Sequence, residues 1–243
     1  MERDRFNTSP CVTDLTQRWK RRHDYPELPT LDSGVTLLET DERATGALQS
    51  LVLDHLLLGG GSAIWIDVHG HGTTQLLSRI APSIRVLDRI RTARAFTAWQ
   101  HQSLCQDLIP ELTDVTAVVV LPAFEWFYRS EELSRGDGER MLAAAVDLIG
   151  EIVDTFDVSV LMTQHTDDAL TDSIQECAAD VIRCEQTPYG PRFSGDEYET
   201  LVYPLDNGMV QTTLAFWQQV LTTRHPAVAD ADSPIEVSVH GSY

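Results

Sequence analysis

The chain has 243 residues, 37 of them acidic and 18 basic, for a formal charge of −19. That length is enough for one α/β domain with a sizeable core, and no apolar run reaches the roughly 18 residues that a membrane span needs. Of the 18 basic residues only Lys20 is a lysine; an acidic, lysine-poor surface fits a salt-rich cytoplasm, where charge is screened within about 3 Å at 1 M and counterion release cannot drive nucleic-acid binding.

Residues 1–27 read as a polar arm. They carry a small basic cluster, "RWKRRH", from Arg18 to His23. A solvated arm is the simpler reading; docking of its charge on the acidic body or on a partner is the alternative. From Val35 the pattern becomes regular. "VTLLE" predicts a strand, and "GALQSLVLDHLLL" a helix with Ala47, Leu48, Leu51, Val52 and Leu56 on one face. "AIWIDV" reads as a strand buried on both sides. "TTQLLSRI" predicts a short helix, "RTARAF" a short strand and "AWQHQSLCQDLI" a helix.

"TAVVVL", from Thr116 to Leu121, is the strongest central-strand signal in the chain, and Pro122 ends it. "GERMLAAAVDLIGEIVDTF" predicts a long helix. Its apolar stripe is Met141, Leu142, Ala145, Leu148, Ile149, Ile152 and Val153. "VSVLMTQ" is a further buried strand, "DALTDSIQECA" a helix and "DVIRCEQ" a strand. "YETLVYPLDNGMVQTTLAFW" predicts a hairpin, because two alternating runs flank Asn207-Gly208. Residues 226–243 are small and acidic and predict a disordered tail. The body, 28–225, is then one α/β domain: a mainly parallel sheet, helices on both faces, and an antiparallel hairpin at the C-terminal edge. Cys11, Cys105, Cys177 and Cys184 show no C-x-x-C spacing, and no signal peptide precedes them. Reduced thiols in a cytoplasmic protein are expected.

Several of these segments, in this order, resemble the RecA/RadA recombinase family, with its archaeal RadA paralogues and KaiC-type relatives. "GSAIWIDVHG" is similar to the family strand ending "WIDTE", and "RTARAFTAWQHQSL" to the "ARAY…HQ" segment that follows. "TAVVVLPAFEWFYRSEEL" stands in the place of the Walker B strand, and "VSVLMTQH" resembles the strand ending "TNQV". The resemblance spans about residues 28–217 and implies a RecA-like core.

It also implies a lost nucleotide site. On the Walker A frame G-x-x-x-x-G-K-[ST], Glu39 takes the place of the first glycine, Ala44 the second, Thr45 the lysine and Gly46 the Ser/Thr. Leu121 stands for the metal-binding aspartate and His69 for the catalytic glutamate. Asp67 is kept, and Gln164 matches the glutamine that senses the γ-phosphate. A P-loop needs a lysine charge, a hydroxyl on Mg²⁺ and backbone N–H groups curled around phosphate, whereas this loop holds Glu39, Asp41 and Glu42. The resemblance thus implies a catalytically inactive paralogue, with no cofactor, that serves DNA recombination or repair through a protein partner such as a RadA-type recombinase. The segment matching the second DNA loop, "TDDALTDS", is short and acidic, so DNA contact has little support. A KaiC-like regulatory role is an alternative.

A rival reading uses "DVHGHG". If the strand runs on, Asp67, His69 and His71 alternate onto one side, a spacing seen in metal hydrolases, and His165 could join them. The simpler expectation is that these histidines are polar residues of a strand-end loop. Arg43 and Arg94 are expected in ion pairs. Trp126, Phe127 and Tyr128 are expected in the core or in a partner contact rather than in base stacking.

Overall fold

The computed structural model describes residues 27–40, 46–68, 70–187, 190–196, 199–201 and 213–231. Within them lie the strands β1 (Gly34–Thr40), β2 (Ser62–Asp67), β3 (Ile90–Arg94), β4 (Thr116–Leu121), β5 (Ser159–Met162), β6 (Asp180–Thr187), β7 (Gly190–Ser194) and β8 (Glu199–Leu201). They form one sheet in the order β3-β2-β4-β5-β1-β6-β7-β8. From β3 to β6 the neighbours run parallel; β7 then adds antiparallel to β6, and β8 antiparallel to β7. The helices are α1 (Ala47–Gly59), α2 (Thr74–Ile80), α3 (Ala98–Gln106), α4 (Leu108–Glu111), α5 (Arg135–Phe156), α6 (Asp172–Cys177), α7 (Thr213–Arg224) and α8 (Pro226–Ala231). No helix among the described residues is long and apolar enough to cross a membrane.

Strand alternation explains the two-faced core. Leu38, Trp65, Val118 and Val120 point into one layer, with Leu51 of α1, Leu77 of α2 and Trp217 of α7. Their neighbours Leu37, Ile66, Val119 and Leu121 point into the other, with Cys105 of α3, Ile149 of α5 and Ile174 of α6. Side chains that alternate between the two covered faces of a sheet are mostly apolar, and Val118 to Leu121 and Val160 to Met162 satisfy this. Full burial of each such side chain contributes about 1.5–3 kcal/mol.

Helix α5 follows its expected stripe. Leu142, Ala145, Ile149 and Ile152 are buried, and Met141, Leu148 and Val153 pack at the margin. It starts three residues earlier than the pattern suggested, at Arg135, because Ser134 caps it: the Ser134 hydroxyl accepts from the Asp137 N–H at 3.2 Å. Near this end Gly138 faces the Tyr128 carbonyl oxygen so closely that a Cβ there would collide with it. The start of α5 is thereby held against the segment that follows β4.

Two expectations need correction. The antiparallel edge exists, but residues 180–201 build it. The stretch read as its second arm is helical from Thr213, where Trp217, Val220 and Leu221 recur at helical spacing and are fully buried. The turn at Asn207-Gly208 lies outside the described residues, as do the arm 1–26 and the tail 232–243. The chain from 226 does not begin as tail, since Pro226–Ala231 forms α8. No disulfide joins Cys105, Cys177 and Cys184.

Candidate functional site

In open parallel sheets ligands gather beyond the carboxyl ends of the strands. Strands β1, β5, β4 and β2 are successive neighbours, so their ends bring the positions around Glu39, Gln164, Leu121 and Asp67 to one edge. What those side chains touch decides what the edge can do.

At the end of β1, Glu39 lies opposite Arg183 in the register with β6, and the Arg183 Nε donates to it at 2.7 Å. Asp41 to Thr45, including Ala44, lie outside the described residues. Gly46 follows with φ 94°, the left-handed region that favours glycine, and precedes the first residue of α1. A Cβ on Gly46 would come within 2.7 Å of Trp217 Cδ1 and 3.2 Å of Ile80 Cδ1. Ala47, Leu48, Gln49 and Ser50, the first turn of α1, are all buried.

At the end of β2, Asp67 is fully buried. It accepts from the Gly72 N–H at 2.7 Å and from the Arg94 Nε at 2.8 Å. The strand does not run on through His71, as the rival metal reading requires. β2 stops at Asp67, and Gly70 takes a φ of 82° in the turn that follows. His71 gives its backbone carbonyl to Gln49 Nε2 at 2.8 Å, and His69 is outside the described residues. His165 follows β5, two strands away from β2, and packs edge-on against Trp126 with ring centroids 4.8 Å apart. Among the described residues no three metal-ligating side chains converge.

Between β4 and β5 the strand ends are laced together. Leu121 is fully buried, and its carbonyl accepts from the Thr163 N–H at 3.2 Å. Ala123 donates to Thr163 Oγ1 at 2.8 Å and adopts φ 45°, a left-handed conformation costing about 1–2 kcal/mol for a residue with a Cβ. That turn carries Glu125 inward. Its Oε1 accepts from the N–H groups of His165 and Thr166 at 2.8 and 2.9 Å, while Oε2 is buried without a partner among the described residues. Arg129 stands 3.7 Å from Glu125 and forks onto Asp168 with two bonds of 2.8 Å. The Arg129 hydrogen bonds hold the Asp168 carboxyl down at about 2. Gln164 is half-buried, and its Oε1 has no partner among the described residues.

Glu125, Arg129 and Asp168 are the residues that sequence reasoning missed. The signal was faint: one acid within "AFEWFYR", just past a buried strand. The aromatic run around it divides. Tyr128 is buried and shares a 2.8 Å hydrogen bond with Nδ1 of His101, whereas Trp126 and Phe127 are half-buried. Burial lowers His101 to about 4 and pushes the nearby Cys105 thiol up to about 12, so neither offers a charged form for chemistry near neutral pH.

A second cluster ties α7 to α1. Asp54 is buried, accepts from Arg224 at 2.7 and 2.8 Å, and pairs with His225 Nε2 at 2.6 Å. Burial alone would raise the Asp54 carboxyl. Hydrogen bonds from His225 and Arg224 more than offset that and hold it below the usual range.

No protein-family model matches the chain, and no curated protein matches it either.

Proposed function

We propose that the chain is a RecA-like protein without ATPase activity, serving DNA recombination or repair as an accessory or regulatory factor through protein contacts. The observation that carries this reading is the state of the carboxylates at the strand ends. A nucleotide site needs a cation free to meet phosphate and a carboxylate free to hold a Mg²⁺-bound water. Here Glu39 is taken by Arg183, Asp67 by Arg94 and the Gly72 N–H, and Asp168 by Arg129. Glu125 serves as a staple between two loops. At the place of the metal aspartate stands Leu121, buried in the apolar layer.

Loss of one preorganised electrostatic donor typically costs about 2.7–4 kcal/mol of barrier. The resemblance places Thr45, Leu121 and His69 where lysine, metal ligand and catalytic base would be needed, so even non-additive losses leave no useful hydrolysis. What is retained is the frame, whose strand ends are cross-bonded into a fixed surface.

Phosphate release from ATP, with and without single-stranded DNA and in the salt at which the protein is folded, tests this. No turnover above the protein-free rate is expected. Turnover abolished by Thr45→Ala would overturn the reading. Turnover that needs a divalent metal and is lost in His69→Ala or His71→Ala would replace it with metal-dependent hydrolysis.

A further inference from the structure

An open groove of about 430 Å³ runs beside the carboxyl ends of β3 and β4, and four aromatic side chains line it. Phe96 and Trp99 come from the entry to α3; Trp126 and Phe127 come from the short 3₁₀ turn Trp126–Arg129. Phe96 is 69 % exposed and Trp99 53 %. Aromatic area left in water forgoes about 25 cal/mol per Å², and it lies mostly on Phe96 and Trp99, because Phe127 packs in part against the core and Trp126 against His165.

The walls are fixed in place. The Thr97 hydroxyl accepts from the Gln100 N–H at 3.2 Å, and the Phe96 N–H donates to Gln100 Oε1 at 3.0 Å, which sets the backbone of the first wall. Trp126 leans edge-on against His165, and Gly138 lets α5 press on the turn that carries Trp126 and Phe127. Rigid aromatic anchors of this kind bind with little loss of side-chain entropy.

The charge around the groove has one sign. Arg129 is the only cation in its lining, and Asp168 and Glu125 already neutralise it. Glu131 and Glu132, also in the lining, are exposed and pair with no cation among the described residues. Aromatic faces carry the negative end of the ring quadrupole and attract cations, more strongly for arginine and indole than for most pairs. A phosphodiester would find two unpaired carboxylates and no free positive charge.

We propose that this groove docks an arginine- or lysine-bearing segment of a partner protein. The cationic head lies over the exposed indole face of Trp99, within the field of Glu131 and Glu132. This rests on the reading that the protein acts through protein contacts, and it names the surface and the partner chemistry. Stacking on the rings persists at molar salt, where a purely ionic contact is screened within about 3 Å.

The test titrates the full-length protein with an alternating Gly-Arg peptide, the matching Gly-Glu peptide and oligothymidylate, following tryptophan fluorescence and heat. The Gly-Arg peptide is expected to bind and the other two not. Trp99→Ala, and Glu131→Gln with Glu132→Gln, should each weaken binding about fivefold or more. Trp99 is exposed, so its removal should leave the melting temperature close to wild type; Phe96→Ala gives a second probe of the same wall. Three results overturn the proposal: no preference for Gly-Arg over Gly-Glu, wild-type affinity in all three variants, or binding of oligothymidylate alone. ATP–Mg²⁺ titrated into the same samples reports separately. Nucleotide binding with the peptide preference intact would sink the inactive-ATPase reading and leave the groove standing; loss of the peptide preference without nucleotide binding would do the reverse.

Discussion

Trp217 stands so close to Gly46 that a Cβ at position 46 would lie 2.7 Å from its Cδ1. The contact joins the residue before α1 to a helix near the other end of the chain. It places a fully buried indole beside the turn where the resemblance puts a phosphate loop. Gly46→Ala adds left-handed strain of about 1–2 kcal/mol to overpacking of about 1–3 kcal/mol. A total loss of about 2–5 kcal/mol is expected in denaturant unfolding. Trp217→Ala alone should cost about 3–5 kcal/mol. Because it removes the clash, the double variant should lose less than the sum. Strict additivity would show that the two residues do not share this contact.

Asp54, Arg224 and His225 fasten the same helix at its far end. Removing one partner of a buried ion pair leaves an uncompensated charge and typically costs about 3–5 kcal/mol. Arg224→Ala is expected to fall in that range, measured by urea unfolding. Asp54→Leu combined with Arg224→Met, which removes both charges and keeps bulk, should recover much of the loss. If Arg224→Ala unfolds at the wild-type midpoint, the cluster contributes nothing to the docking of α7.

His101 should make the protein sensitive to acid. Its buried ring titrates near 4, below the ordinary 6.5, so between those values the unfolded chain binds the proton and the folded chain does not. The stability held by neutral His101 is complete above about pH 6.5 and is lost as pH falls towards 4. The shift corresponds to about 3 kcal/mol, or a fall of roughly 6–12 °C in melting temperature for a chain of this size. His101→Gln should flatten the limb between those pH values. An unchanged limb would place the acid sensitivity elsewhere.

Where hydrophobic pattern and local geometry agree, the fold was legible in the residues. Val118 to Leu121 are all apolar because they face two cores, and the sheet puts them between β2 and β5. Helix α5 shows a stripe because one side faces solvent. Helix α7 was misread for the opposite reason. Its start, "TTLAFW", ends in four successive apolar residues, which fit a short buried strand as readily as a helix, and only the later Val220 and Leu221 reveal the helical period. The rival reading of the Asp67–His71 spacing needs a strand that runs on, whereas β2 ends at Asp67 and Gly70 turns with a φ of 82°. Glu125 was hidden because its role depends on Ala123 adopting a left-handed turn, which nothing about an alanine announces.

The acidic surface leads to a prediction about salt. Self-repulsion among the charges summing to −19 grows as the screening length rises from about 3 Å at 1 M to about 10 Å at 0.1 M. The melting temperature should fall as KCl is diluted across that range. A flat or rising midpoint would remove the salt-rich cytoplasm from the account.

The central proposal is that this chain keeps the frame of a nucleotide site without its chemistry, and calorimetric titration of the folded protein with ATP–Mg²⁺ tests it most directly. The strand-end acids are bonded to Arg183, Arg94 and Arg129, and Leu121 cannot hold a metal-bound water. The expected result is no binding tighter than about 1 mM, equivalent to about −4.1 kcal/mol. Micromolar, Mg²⁺-dependent binding would contradict the account, and loss of that binding in Thr45→Ala would place the nucleotide at the segment after β1.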